Sequence, residues 1–381
     1  MSGKNNYPII DHCSDVHFFN PRVPIEHIIA TMEYFYPPNS KTRSLDVISI
    51  GGDLFDTTIL FSDKDAQLFI GWAIRFLQLC ADFDIELWVL EGTPRHDRRQ
   101  SSWLVTLNES YGIKAPLKYF TGISHYYCER INKHVLFIQD ELTTDSDLTY
   151  QLAVKTIKDA GLDKVDIISM HGMFDYQAPE NIKIKGVHNS DLYQNLVNDF
   201  IVAGHVHTSS FHDKIIVAGS STRLKHGEEE AKGHVRIEYF NEHNFKATFK
   251  KNEIAMIFSD FLVGEEDVEE QALRSRLNAL TYPEGSYVRV IVKKENSHLF
   301  PLSFFNDNRR DYNWSKKELK SNNAEVSPIF EELALAEVSS EIEINQNNIL
   351  DIITNRLSTK YDESTIQGCI SVIQEVINQN E

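Results

Sequence analysis

Residues 45–56 read LDVISIGGDLFD, a run of apolar, β-branched residues that stops at two glycines and a carboxylate. Val and Ile restrict side-chain freedom in a way that favours extended chain, and a short continuous apolar run suits a strand buried on both faces. The glycines let the backbone turn sharply and bring Asp53 close to a ligand. The same pattern recurs at Glu86 to Leu90 (ELWVL), Val165 to Met170 (VDIISM), Phe200 to Ala203 (FIVA) and Lys214 to Ala218 (KIIVA). Polar clusters punctuate the first 220 residues: Asp15-Val16-His17, Gly51 to Asp56, Gly92-Thr93-Pro94-Arg95-His96-Asp97, Met170-His171-Gly172, Gly204-His205-Val206-His207 and Gly219-Ser220-Ser221. Helical spacing of apolar residues marks Asp65 to Cys80 and Leu148 to Ala160. Strand and helix alternate, which predicts a layered α/β sandwich over residues 7 to 220. Ligands in such folds gather outside the carboxyl ends of strands, so the polar clusters are expected along one edge of one sheet.

The clusters supply Asp15, His17, Asp53, His171, His205 and His207 as candidate metal ligands. A mixed aspartate–histidine set without cysteine suits Mn²⁺, Fe or Zn²⁺, whereas carboxylates alone would suit Mg²⁺ or Ca²⁺. Two divalent ions about 3.5–4 Å apart clamp the attacking and leaving oxygens of a phosphoryl displacement and acidify a water. Asp53, central in the ligand order, is the natural carboxylate to bridge them. The leaving oxygen needs a proton. His96 could supply it, with Asp97 orienting or tuning that imidazole. The remaining histidines His12, His27, His125, His134, His188 and His212 read as structural or surface groups.

As an ordered series these residues resemble the calcineurin-like metallophosphoesterases. The narrower resemblance is to the SbcD-type DNA nucleases, bacterial and phage counterparts of the meiotic recombination nuclease. It is carried by Gly51 to Asp56 (GGDLFD) and by Gly219 to Gly233 (GSSTRLKHGEEEAKG). The resemblance implies one ion held by Asp15, His17, Asp53 and His207, and a second held by Asp53, His171 and His205. Mn²⁺ is the expected ion, with Mg²⁺, Fe and Zn²⁺ as alternatives. The family's Gly-Asn-His-Asp motif supplies a further ligand through its asparagine. Here that stretch is Gly92-Thr93-Pro94-Arg95-His96-Asp97, so a water, a backbone oxygen or Thr93 is left to replace it. Arg95 is always cationic and cannot ligate. Arg95 and Arg98 could instead face a substrate phosphate. Asp56 occupies a position where some relatives carry histidine, which there bears on exonuclease geometry, and others carry aspartate, so it does not decide between cleavage at ends and internally. The resemblance further implies DNA cleavage at ends and hairpins in recombination and repair, and a homodimer. It also implies an SbcC-type coiled-coil ATPase gripped by C-terminal helices, and a cytoplasmic location in a bacterial cell or phage-infected host. A metallophosphoesterase acting on a small phosphodiester or a phosphoprotein is the alternative, and a scaffold with a degraded site is a third class.

Composition bounds these readings. The chain has 381 residues and a formal net charge of −18, which is unusual for a DNA-binding protein. From Glu325 to Glu381 there are 11 acidic and 2 basic residues, so this tail holds −9 of the total. Basic clusters remain at Arg95, Arg98 and Arg99, and at Arg309, Arg310, Lys316, Lys317 and Lys320. Cys13, Cys80, Cys128 and Cys369 are widely spaced and read as reduced thiols. No apolar run approaches the ~20 residues of a membrane helix, and no signal peptide is evident. The expected organisation is a catalytic domain over 1–250, a capping domain over 251–325 and an acidic helical segment over 326–381. Residues 264–270 and Ala272 to Leu280 are expected to form a helix, Tyr287 to Val292 a strand, and residues 306–327 a polar linker. Amphipathic helices are expected at Asn348 to Leu357 and Ser364 to Ile377.

Overall fold

A computed structural model describes residues 7–140, 145–178, 186–264 and 267–319. In chain order its first half holds β1 (Ile9–Cys13), α1 (Ile25–Phe35), α2 (Ser40–Arg43), β2 (Val47–Gly51), α3 (Ala66–Phe83), β3 (Glu86–Leu90), α4 (Trp103–Ser110), β4 (Leu117–Phe120), β5 (Ile123–Cys128) and β6 (Lys133–Ile138). The remainder holds α5 (Ser146–Asp159), β7 (Val165–His171), α6 (Ser190–Gln194), β8 (Val197–Gly204), β9 (Ser210–His212), β10 (Ile215–Val217), β11 (Gly233–Tyr239), β12 (Phe245–Lys251), β13 (Phe258–Leu262), α7 (Glu270–Asn278), β14 (Tyr287–Lys293), α8 (Leu302–Asn308) and β15 (Asn313–Leu319). These residues belong to one compact unit, Met1–Asn323.

Two six-stranded sheets carry the architecture, in the orders β12-β11-β1-β2-β3-β4 and β5-β6-β7-β8-β10-β9. Within each, the strands that precede the polar clusters run parallel: β1, β2 and β3 in the first, β6, β7 and β8 in the second. Side chains alternate between the two faces of a strand, and both faces are covered. Leu87 and Val89 of β3 pack with α1, α3 and α4, whereas Trp88 and Leu90 face the other sheet. On the second sheet Ile167 and Phe200 meet that same central core, while Ile168 and Ile201 pack with α5 and α6. The result is a helix–sheet–sheet–helix sandwich, as the continuous apolar runs predicted. Trp88 and Phe137 meet edge-to-face across the middle, ring centroids 5.5 Å apart. Each such buried large side chain contributes roughly 1.5–3 kcal/mol.

The candidate ligands do not share one sheet, as the sequence reading expected. They come from the carboxyl ends of strands in both sheets, because the chain crosses to the second sheet between β4 and β5. A third, three-stranded parallel sheet, β13-β14-β15, has its own apolar core of Phe261, Leu277, Val288, Val290 and Phe305. It leans on the main core through Phe258, stacked on Tyr287 at 4.8 Å. The predicted helix begins at Glu270, later than residue 264.

The expected linker over 306–327 is corrected in part, since Asn313–Leu319 is an edge strand paired with β14. Its charged residues (NWSKKEL) gave no apolar alternation, which is how an edge strand resists unwanted pairing. Nor are all the basic residues there free: Arg309 binds Asp311 and the carbonyls of Leu277 and Leu280. The helices expected at 348–357 and 364–377 lie outside the described residues. Among the described residues no helix is long and apolar enough to cross a membrane, and Cys13, Cys80 and Cys128 are free and buried.

Candidate metal centre

The loops after β1 and β2 run side by side. Asp15 N–H donates to the Gly52 carbonyl (3.1 Å), His17 N–H to the Asp53 carbonyl (3.0 Å) and Phe18 N–H to the Leu54 carbonyl (2.8 Å). This pairing holds the backbone at positive φ at Asp15 (50°), His17 (53°) and Asp53 (49°), and His205 is at 93°. Non-glycine residues in that region carry strain, and such strain gathers where side chains must be aimed. Gly52 (φ 96°) has no alternative, since a Cβ there would lie 2.4 Å from His171 Nδ1.

Asp15, His17, Asp53, His171, His205 and His207 converge. Asp53 Oδ2 lies 3.3 Å from His171 Nε2 and 3.9 Å from His17 Nε2. Asp15 Oδ1 lies 3.9 Å from His171 Nε2 and 3.8 Å from His207 Nε2. Ligand atoms each about 2.1 Å from a shared cation sit at this kind of separation. The groups Asp15–His17–His207, Asp15–Asp53–His171, His17–Asp56–His96 and Asp140–His171–His205 each place their ligand atoms within 4.8 Å of one another. Each could hold a metal ion.

The tautomers fit that use. His171 Nδ1 donates to the Gly51 carbonyl at 2.7 Å, which turns Nε2 toward the carboxylates of Asp53 and Asp15. That nitrogen is fully buried and has no hydrogen-bond partner. His207 Nδ1 meets Glu228 Oε1 at 2.9 Å, and His17 Nδ1 lies 3.1 Å from Asp56 Oδ1 in a charge contact that is not aligned as a hydrogen bond. Carboxylates behind both rings draw the protons to Nδ1 and turn both Nε2 atoms toward each other, 3.2 Å apart. Two lone pairs at that distance repel unless a proton or a cation lies between them. Such carboxylate-backed histidines are typical of metal ligands.

Electrostatics point the same way. Burial disfavours a charged His17, but Asp56, Asp53 and Asp15 outweigh it and push its pKa up to about 9. Burial likewise opposes ionisation of Asp53, yet His171 and His17 hold it far below the carboxylate range. For Glu228 burial is outweighed by His207 and Lys232, which hold it down to about 2. A field that protonates buried histidines attracts a divalent cation more strongly.

His96 lies beside this set, its ring centroid 5.1 Å from that of His17. Its Nδ1 donates to the Asp56 carbonyl at 2.8 Å, so Nε2 is the atom left to exchange a proton. The expected Asp97–His96 contact is not what holds the ring. Asp97 instead accepts from Phe55 N–H (2.8 Å) and Gly92 N–H (2.7 Å), clamping the Asp53 loop to the loop after β3. Burial and the neighbouring Asp53 and Glu91 push its carboxyl up to about 7. Thr93 fixes Asp53 itself, through N–H to Oδ1 (2.7 Å) and Oγ1 to Oδ2 (3.2 Å). Arg95 and Arg98, on either side of His96 in the chain, are exposed.

Three participants were missed in the sequence. Asp140 follows β6 and reaches the centre, with Oδ2 2.9 Å from His205 Nδ1. Its signal was present, because Lys133 to Ile138 (KHVLFI) is another apolar run ending in a carboxylate. Glu228 and Lys232 explain the segment 219–233. Glu228 backs His207, and Lys232 Nζ lies 3.2 Å from Glu228 and donates to the His207 carbonyl at 2.9 Å.

No family model matches the chain, and no curated protein does. Two solved structures are similar in part. One shares 10% identity at a TM-score of 0.35, covering 63% of this chain and 98% of its own. The other, TT1561 of Thermus thermophilus, shares 9% identity at a TM-score of 0.36, covering 64% and 99%. Likeness at this level carries no inference about what this chain does.

Proposed function

We propose that the protein is a two-metal phosphodiesterase that cleaves DNA. The observation that carries this reading is the convergence of Asp15, His17 and His207, of Asp15, Asp53 and His171, and of Asp140, His171 and His205, with His171 Nε2 buried 3.3 Å from Asp53 Oδ2 and making no hydrogen bond. Asp15, His17, Asp53 and His207 would hold one divalent ion, and Asp53, His171 and His205 a second, with Mn²⁺ the expected metal. Bound there, the ions supply Lewis acidity to a phosphoryl oxygen and acidify a water. The chain's own groups do the rest. Asp53 would belong to both ligand sets, Asp56 and Glu228 would orient His17 and His207, and His96 would hold a proton at Nε2 for the leaving oxygen. The exposed Arg95 and Arg98 would meet flanking phosphates. In the SbcD-type reading a partner ATPase would supply the DNA affinity that a net charge of −18 disfavours. That same charge favours the alternative of a small phosphodiester substrate.

The test is Mn²⁺-dependent hydrolysis of bis-p-nitrophenyl phosphate beside single- and double-stranded DNA, with and without a co-expressed coiled-coil ATPase. Activity on both substrate types supports the nuclease. Activity on the small ester alone favours the second reading. His96→Ala is expected to keep its metal and lose turnover; full activity in that variant removes His96 from the mechanism.

A further inference from the structure

We infer that Asp140 is a direct ligand of the second ion, which makes the centre a three-carboxylate site. The inference rests on the two-metal reading and adds a residue to it. β6, β7 and β8 are adjacent and parallel, and their carboxyl ends deliver Asp140, His171 and His205 in one row. The ligand atoms of these three lie within 4.8 Å of one another. The buried, partnerless His171 Nε2 is one of them.

Asp140 also faces the shared carboxylate. Thr93 Oγ1 lies 3.3 Å from Asp140 Oδ2 and 3.2 Å from Asp53 Oδ2. Asp140 Oδ2 also lies 2.9 Å from His205 Nδ1. Asp140 is only 6% exposed and Asp53 3%. Two buried like charges this close are expensive unless a cation shares the space. With Asp53, His171 and His205, Asp140 gives the second ion two oxygens and two nitrogens. Asp15, Asp53, His17 and His207 give the first the same set. Asp140 therefore takes the place that the absent asparagine leaves, and it brings a negative charge where that residue would bring none. Two dications would then face three carboxylates, so the second ion is retained more firmly than by a neutral amide.

Mn²⁺ calorimetry and anomalous diffraction on the full chain test this. Wild type should bind two ions, with an Asp140 oxygen about 2.0–2.2 Å from one of them. Losing a residue that only supports a ligand costs 10–100-fold in metal affinity, so Asp140→Ala should weaken the second ion by at least about tenfold. The isosteric Asp140→Asn should fall between the two, which covers the case where the alanine variant folds poorly. Asp140 bonded only to His205 in the manganese-soaked crystal, or both variants binding two ions at wild-type affinity, overturns the assignment alone. Wild type that binds no Mn²⁺ overturns the two-metal reading together with it.

Discussion

Replacing Asp56 separates orientation of a ligand from supply of one. Its carboxylate stands 3.1 Å behind His17 Nδ1 and accepts from Asn20 Nδ2 at 2.9 Å, while its backbone carbonyl holds His96. A side-chain substitution therefore leaves the His96 anchor in place. Loss of the carboxylate behind a ligating histidine costs 10–100-fold in metal affinity, or about 1.4–2.7 kcal/mol. At free Mn²⁺ a hundredfold above the wild-type Kd, one site stabilises the fold by about 2.7 kcal/mol; in Asp56→Ala this falls to between about 1.4 and 0.4 kcal/mol. The contact with His17 is one of charge and not an aligned hydrogen bond, so Asp56→Asn should lose nearly as much as Asp56→Ala. In the metal-free variants the His17 imidazole should also titrate lower than its wild-type value of about 9. Isothermal calorimetry, manganese-dependent melting curves and NMR titration of the ring read these effects. Mn²⁺ affinity within twofold of wild type in both variants would refute the reasoning.

Three further outcomes are expected. Gly92→Ala would place a Cβ 2.1 Å from Asp53 N and 2.3 Å from Asp53 Oδ1; it should destabilise by about 1–3 kcal/mol in urea melts and abolish tight Mn²⁺ binding. Lys133→Ala removes the ammonium 2.7 Å from buried Asp199, which keeps Tyr239 and His243 at 2.8 Å each, and should cost roughly 1.5–3 kcal/mol by denaturant unfolding. Burial pushes the Asp11 carboxyl up, but Arg236 and His234 outweigh it and hold it below its ordinary 3.8. The stability this supplies is present in full above pH 3.8 and is lost as pH falls through the lowered value. Asp11→Asn should therefore flatten the acid limb of the stability–pH curve.

Much of the fold could be read from the sequence because parallel strands buried on both faces announce themselves as Val- and Ile-rich runs. LDVISI, ELWVL and VDIISM all became strands within a residue or two of their expected limits. What periodicity could not supply was the assignment of strands to sheets. LDVISI and VDIISM look alike, yet one joins the first sheet and the other the second. Asp140 escaped notice because a lone carboxylate after an apolar run is common, and only its neighbours in space distinguish it. The roles of Glu228 and Lys232 were hidden for the same reason: both act on His207 from 21 and 25 residues away. Asp97 stood next to His96 in the chain but, with its backbone N–H bonded to the Thr93 carbonyl, its side chain turns to Phe55 and Gly92 instead.

Asp15, His17 and Asp53 descend from one pleated layer and Asp140, His171, His205 and His207 from the other, so the candidate centre straddles a seam. In the two ligand sets proposed above, each ion would draw on both layers. Their registry is fixed by the apolar filling between them, Trp88 and Phe137 foremost, at a distance from any ligand. A slip of an ångström along that seam would pull Asp53 away from His171 before it exposed a single core residue. Metal occupancy, on the proposed reading, would gauge how the two halves are seated.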